Sequence, residues 1–164
     1  LKDYICETFY FLQMKFICPL IVVEDIAKSR FFYEQILEMK VRFDFGENVT
    51  YDGDFAIHLK SHYAKLIDNR PIQSESNSFE LYFEYDELEL LVERLRKNNI
   101  RFVHELREQP WKQRVVRFYD PDGHIIEVGE SLSYLIKRLY REGNTLLAIE
   151  KLTSLPAEFI KLNI

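Results

Sequence analysis

Cys18, His58, Glu80 and Glu127 each stand in a short, mostly apolar run of the 164-residue chain. Side chains along a strand alternate between two faces, so these four polar groups fall on the face that also carries Leu20, Ala56, Tyr82 and Ile125. A thiol, an imidazole and two carboxylates set among apolar neighbours is the lining expected of a small-molecule cavity. A second group, His104, Glu105, Glu108, Trp111 and Arg114, precedes the last strand pair, where a loop can fold over a cavity mouth. Trp111 offers a stacking surface and Arg114 an anion partner, and Tyr82 and His104 complete a substrate-binding set. The alternative for this segment is an amphipathic loop that covers a sheet edge.

The elements that must position these groups come in two similar halves, each reading strand, helix, strand, hairpin. In the first, the apolar run 17–23 ends at Asp25, which can cap a helix running to about Met39 with Phe32, Ile36 and Met39 on its buried stripe; Val41 to Phe43 resume a strand. In the second, the run 79–85 ends at Asp86, with Glu89 placed for a capping box. Leu88, Leu91, Val92 and Leu95 mark the helix face, and a strand resumes at Ile100. Asp52-Gly53-Asp54 and Asp120-Pro121-Asp122-Gly123 supply the turn of each closing hairpin. Residues 61–78 read as a polar linker or flap. The opposite, apolar face is expected to hold Ile17, Ile21, Val23, Phe55, Ile57, Leu59, Phe79, Leu81, Phe83, Tyr85, Ile126 and Val128 under the helices.

The stretch CPLIVVEDIAKSRFFYEQILEMKV resembles the opening of vicinal-oxygen-chelate domains, the glyoxalase and bleomycin-resistance type, and VVRFYDPDGHIIEV resembles their closing hairpin. The resemblance covers residues 15–130 and implies an α+β fold: two βαβββ modules, at about 15–60 and 79–130, forming a curled mixed β-sheet around a cavity. It also implies one divalent metal held by a ligand from each of four strands: Cys18, His58, Glu80 and Glu127. Cys18 and Glu80 would occupy equivalent places in the two halves, as would His58 and Glu127. One imidazole and two carboxylates suit zinc, nickel, manganese or iron, and a Cys18 thiolate would favour zinc. On that reading the protein is a metal-dependent lyase or isomerase of glyoxalase type, with Glu80 or Glu127 as the catalytic base. The chain departs from the metal-dependent pattern at Cys18 and Glu80. Cys18 can instead be a small strand residue, Glu80 and Glu127 can anchor Arg114 or Arg117, and His58 can be a hydrogen-bonded wall. The alternative functions are then a metal-free binding protein that sequesters a drug or metabolite, and a ligand-sensing regulator.

Composition narrows the partners. A net charge of -5 argues against a general nucleic-acid binder, which needs a positive field to displace counterions. Two cysteines without a CxxC pair suggest neither a disulfide framework nor structural zinc and fit a reducing, cytoplasmic setting. Gln13, Lys15 and Pro19 interrupt the only long apolar stretch, so no membrane span is expected. Residues 1–14 read as an N-terminal extension. Residues 131–164 read as a helical appendage, with Leu132, Leu135, Ile136 and Leu139 on one face, Thr145 capping a second helix and Phe159 and Ile160 in a third. Its cadence is that of a helix-turn-helix, but five Lys or Arg against three Asp or Glu is too weak a balance for phosphate binding. Open sheet edges favour a homodimer.

Overall fold

The computed structural model of the chain describes residues 14–164, so all but the last residue of the expected extension lies outside it. Two βαβββ modules follow one another. The first is β1 (Leu20–Val23), α1 (Ile26–Arg30, continuing as a π-helical stretch Phe31–Ile36), β2 (Val41–Asp44), β3 (Asn48–Tyr51) and β4 (Phe55–Leu59). After α2 (Lys60–Leu66), the second is β5 (Glu80–Glu84), α3 (Leu88–Lys97), β6 (Phe102–Glu108), β7 (Arg114–Tyr119) and β8 (Ile125–Gly129). Three helices close the chain: α4 (Leu132–Arg141), α5 (Leu146–Thr153) and α6 (Ala157–Leu162).

Each module forms its own four-stranded mixed sheet, ordered β1-β4-β3-β2 and β5-β8-β7-β6, with β1 parallel to β4 and β5 parallel to β8. The expected α+β architecture of two modules is thus present as two sheets, which are not hydrogen-bonded to one another and do not close into a barrel. A shared apolar core joins them instead. Ile21, Val23, Phe55, Ile57, Leu81, Ile126 and Val128 are buried against Phe32, Ile36, Leu88, Leu91, Val92 and Leu95 of the helices. Aromatic pairs Phe32–Phe118 and Phe55–Phe83 cross from one module to the other. Ile17, Phe79 and Tyr85 are exposed, contrary to the alternation pattern, because they lie beyond the ends of β1 and β5 and escape the pleat.

The DPDG turn does more than reverse the chain. Asp120 accepts a buried hydrogen bond from the Tyr33 hydroxyl at 2.9 Å, and Asp122 accepts from the Glu24 amide and the Ser29 hydroxyl. The turn of the second module is thereby tied to the helix of the first.

Local signals meet mixed outcomes. Asp25 caps α1 by accepting from the Lys28 amide, and Thr145 caps α5 through the Ala148 amide, as their positions predict. Asp86 does not cap α3. Its carboxylate accepts from the Ser131 amide, 45 residues away, and so fastens the start of α4 to the end of β5. The helix expected to reach Met39 ends at Ile36 after its turns widen to π geometry, and residues 61–66 of the expected linker belong to α2. Helices α4 to α6 bury Leu135, Ile136, Leu139, Ile149 and Ile160 in a small core of their own.

Candidate functional site

Ladder register sets which side chains meet. In the second sheet Tyr82 pairs with Glu127, Glu127 with Arg117 and Arg117 with His104, so four polar side chains form one row across all four strands. Glu80 lies two residues before Tyr82 on the same face of β5. Glu127 is 5% exposed and ion-paired with Arg117, a close contact rather than an aligned hydrogen bond. The same guanidinium donates from Nε to Glu80 at 3.0 Å, and its Nη1 lies 3.3 Å from His104 Nε2. One arginine therefore spans both carboxylates expected to hold a metal. This is the arrangement in which Glu80 and Glu127 anchor Arg117.

The corresponding row of the first sheet is Val22, His58 and Asn48. His58, 7% exposed, has its Nδ1 3.2 Å from the Asn48 amide nitrogen and its Nε2 2.7 Å from Nδ1 of His62. The rings of His58 and His62 stack with centroids 5.0 Å apart. Burial, followed by the neighbouring His62, holds the His58 imidazole below its ordinary pKa and favours the neutral ring. His62 also lies 3.5 Å from Glu47. It was not singled out in the sequence because α2 reads as a linker; a histidine four residues after a strand-end histidine is the signal that pointed to it.

Val22 pairs with His58 and Tyr82 with Glu127, so the two expected equivalences do not hold together: with His58 matched to Glu127, Leu20 rather than Cys18 corresponds to Glu80. Pro19 has no N–H to add to the ladder, so pairing begins at Leu20 and leaves Cys18, a half-buried free thiol, ahead of the strand. Among the described residues no three His, Cys, Asp or Glu side chains are grouped to hold a metal ion, so His58, Glu80, Glu127 and Cys18 are not brought to one point.

Arg114, expected at the cavity mouth, has the opposite parity to Arg117 on β7. It bonds Glu130 and, across to α3, Glu89, so its charge is committed away from the row. Trp111 and Tyr82 do converge: both bond the side chain of Gln113, a residue sequence reasoning missed. Of the clefts, one of about 620 Å³ lies beside the DPDG turn between Lys28, Arg101 and Tyr119, and one of about 360 Å³ lies over β1 beneath residues 72–76. Neither contains His58 or Glu127.

Comparison with known proteins agrees with this architecture. The glyoxalase-like domain family model matches residues 16–133. A protein of unknown function from Agrobacterium tumefaciens is 39% identical, with a TM-score of 0.68, the match covering 75% of this chain and 98% of that one. A glyoxalase-related enzyme from Fulvimarina pelagi shares the fold at 20% identity and TM-score 0.62, covering 72% and 89% of the two chains. The fosfomycin resistance protein of Mesorhizobium loti does so at 17% identity and TM-score 0.54, covering 78% and 99%. No curated protein matches. No helix of the described residues is long and apolar enough to cross a membrane. Two βαβββ modules in series, the DPDG hairpin and a family match over most of the chain lead to one conclusion: the protein belongs to the glyoxalase-like domain family of the vicinal-oxygen-chelate superfamily.

Proposed function

We propose that this protein binds a small molecule without a metal, using the polar face of its second sheet. The observation that carries the reading is the Arg117 guanidinium placed between Glu80 and Glu127. Two carboxylates close together repel unless a cation lies between them, and in a metal site the ion fills that role. Here the chain brings its own permanent cation, since an arginine side chain stays protonated. His58, the remaining strong ligand of the expected set, belongs to the other sheet and is engaged by Asn48 and His62. The donor set therefore does not fit a resident metal, and we derive no lyase step through one.

The row Tyr82, Glu127, Arg117, His104 supplies hydrogen-bond donors and acceptors for a ligand, and Trp111 supplies a flat apolar face. A homodimer and a cytoplasmic setting belong to this proposal. The first is supported by the open edges β1, β2, β5 and β6 and by exposed Phe43, Phe45 and Leu66. The second rests on the two cysteines of the sequence, which form no CxxC pair.

Elemental analysis of untagged protein tests the reading. After incubation with manganese, zinc, nickel or iron and removal of excess, the expected content is below about a tenth of an equivalent. Close to one equivalent, lost in a His58→Ala, Glu127→Ala double variant, would overturn it and restore the metal-dependent lyase.

A further inference from the structure

Gln113 is 5% exposed, and its side-chain amide is fully engaged. Nε2 donates to the Tyr82 hydroxyl and to the Glu130 carbonyl, both at 2.8 Å, while Oε1 accepts from the Trp111 indole N–H at 3.0 Å. The Tyr82 hydroxyl donates onward to Glu84 at 3.2 Å. Room for the amide comes from Gly129, where a Cβ would lie 2.9 Å from Gln113 Nε2. A buried amide is tolerated when its bonds are made, and this one makes them to the polar edges of two aromatic rings. Those rings remain open to solvent, with Trp111 41% and Tyr82 48% exposed. Two large aromatics, each held at its polar edge by one buried amide and each close to half exposed, offer ring surface for stacking.

The turn that carries Trp111 is braced from the C-terminal helices. Arg138 on α4 donates from Nη2 to the Lys112 carbonyl and to Glu130, both at 2.6 Å, and Glu130 is fully buried. Arg138 lies beyond residue 133, where the family match ends. Charge around Tyr82 is one-sided, whereas beside Trp111 Lys112 and Arg138 are paired with Glu108 and Glu130. Tyr82 has Glu80 and Glu84 on either side along its strand face and Glu127 as its cross-strand partner. Arg117 is already shared by Glu80 and Glu127, and Arg107 stands on the far edge strand opposite Val115.

We propose that Tyr82 and Trp111, positioned by Gln113, form the seat for a planar aromatic cation, and that Arg138 of the appended helices holds the turn carrying Trp111 in place. The seat rests on reading the polar face of the second sheet as a small-molecule site, and it names the ligand class. Stacking accepts the flat ring, and the surplus carboxylates together with the ring faces favour positive charge on it.

Trp111 is the only tryptophan of the chain, so its emission reports the seat directly. The full chain is titrated with 1-methylquinolinium and with quinoline-4-carboxylate, similar rings of opposite charge, by fluorescence and calorimetry. The expected result is saturable quenching by the cation and binding of the anion weaker by about tenfold or more. Gln113→Leu, shown folded by circular dichroism, is expected to shift the emission and weaken the cation by about tenfold. Arg138→Ala should weaken it several-fold, with partial recovery in Arg138→Lys. Should Gln113→Leu fail to fold, Trp111→Leu read by calorimetry serves instead, since that side chain is exposed. Equal binding of both ions, binding of neither, or wild-type affinity in the variants would overturn the seat. Metal content is measured separately, so protein that holds a metal yet still prefers the cation would overturn the metal-free reading and leave the seat standing.

Discussion

The two modules share a fold and a strand order but differ in the polar row that each sheet carries. Val22, His58 and Asn48 in the first sheet correspond to Tyr82, Glu127 and Arg117 in the second. In the first, neutral hydrogen-bonding groups meet, and a buried imidazole can be satisfied by an amide and a second imidazole without any net charge. In the second, a buried carboxylate meets a guanidinium, an arrangement that is costly to desolvate and more costly to break. The lesson is that a duplicated backbone does not duplicate electrostatics: one half has a polar site of imidazoles and an amide, and the other a buried carboxylate paired with a guanidinium.

The sharpest way to break this comparison is Arg117→Met. It leaves Glu127 buried without its counter-charge, and the expected loss of stability is about 3–5 kcal/mol by urea unfolding at neutral pH. Asn48→Ala, at the equivalent place, removes one neutral hydrogen bond and should cost about 1 kcal/mol. Equal costs for the two variants would show that the halves do not differ as described. Adding Glu127→Gln to Arg117→Met should recover a good part of the loss, because an amide is far cheaper to bury than an unpaired carboxylate.

A smaller effect concerns what joins the modules. Tyr33→Phe deletes the hydrogen bond to Asp120 without opening a cavity, and a loss of about 1–2 kcal/mol is expected. Unfolding followed separately through the single Trp111 in the second module and through far-ultraviolet circular dichroism should remain coincident. Two separated transitions in this variant would mean that the shared core, not the turn, fails to hold the halves as one unit.

The smallest effect is a difference in pH response between two imidazoles. His124 loses from burial, but its hydrogen bond to Asp120 and the charges of Asp120 and Asp122 outweigh that and raise its pKa above 6.5. Its contribution to stability is complete below 6.5 and fades as pH rises through the raised folded value. His58 has the opposite sign: its folded pKa lies below 6.5, so stability grows as pH rises from that lowered value to 6.5. Imidazole NMR titration should therefore find His124 above and His58 below the ordinary value. The reverse order would contradict the tautomers implied by Asp120 on one side and His62 on the other.

Much of this architecture was legible before any coordinates. The paired strand-helix-strand-hairpin pattern, the Asp25 and Thr145 caps, both Asp-Gly turns and the apolar faces are short-range regularities, and local chemistry specifies them. Helix α2 was not legible, because Lys60 to Leu66 carries no side-chain cap and buries no residue, so neither the usual start signal nor an apolar stripe marks it. Asp86 misled for a related reason. It stood in the right place to cap α3, but the Ser131 amide, brought close by the docking of α4, was the better donor. The site was half legible. Strand parity correctly put Tyr82, Glu80, Glu127 and His58 on the polar faces, but parity does not tell which of these faces meet.

By itself, then, the sequence determined the order of elements within the two modules and the list of polar residues on each strand, because these depend on neighbours two to four positions apart. Only the tertiary structure decided that Arg117 pairs with both Glu80 and Glu127, that the β1 ladder begins at Leu20 and leaves Cys18 ahead of it, and that Gln113 binds two aromatics at once. Those outcomes turn on ladder register and on contacts between distant parts of the chain. A shift of one residue in any strand would move every side chain to the opposite face, and that register is set by the packing of the whole core rather than by any local run of residues.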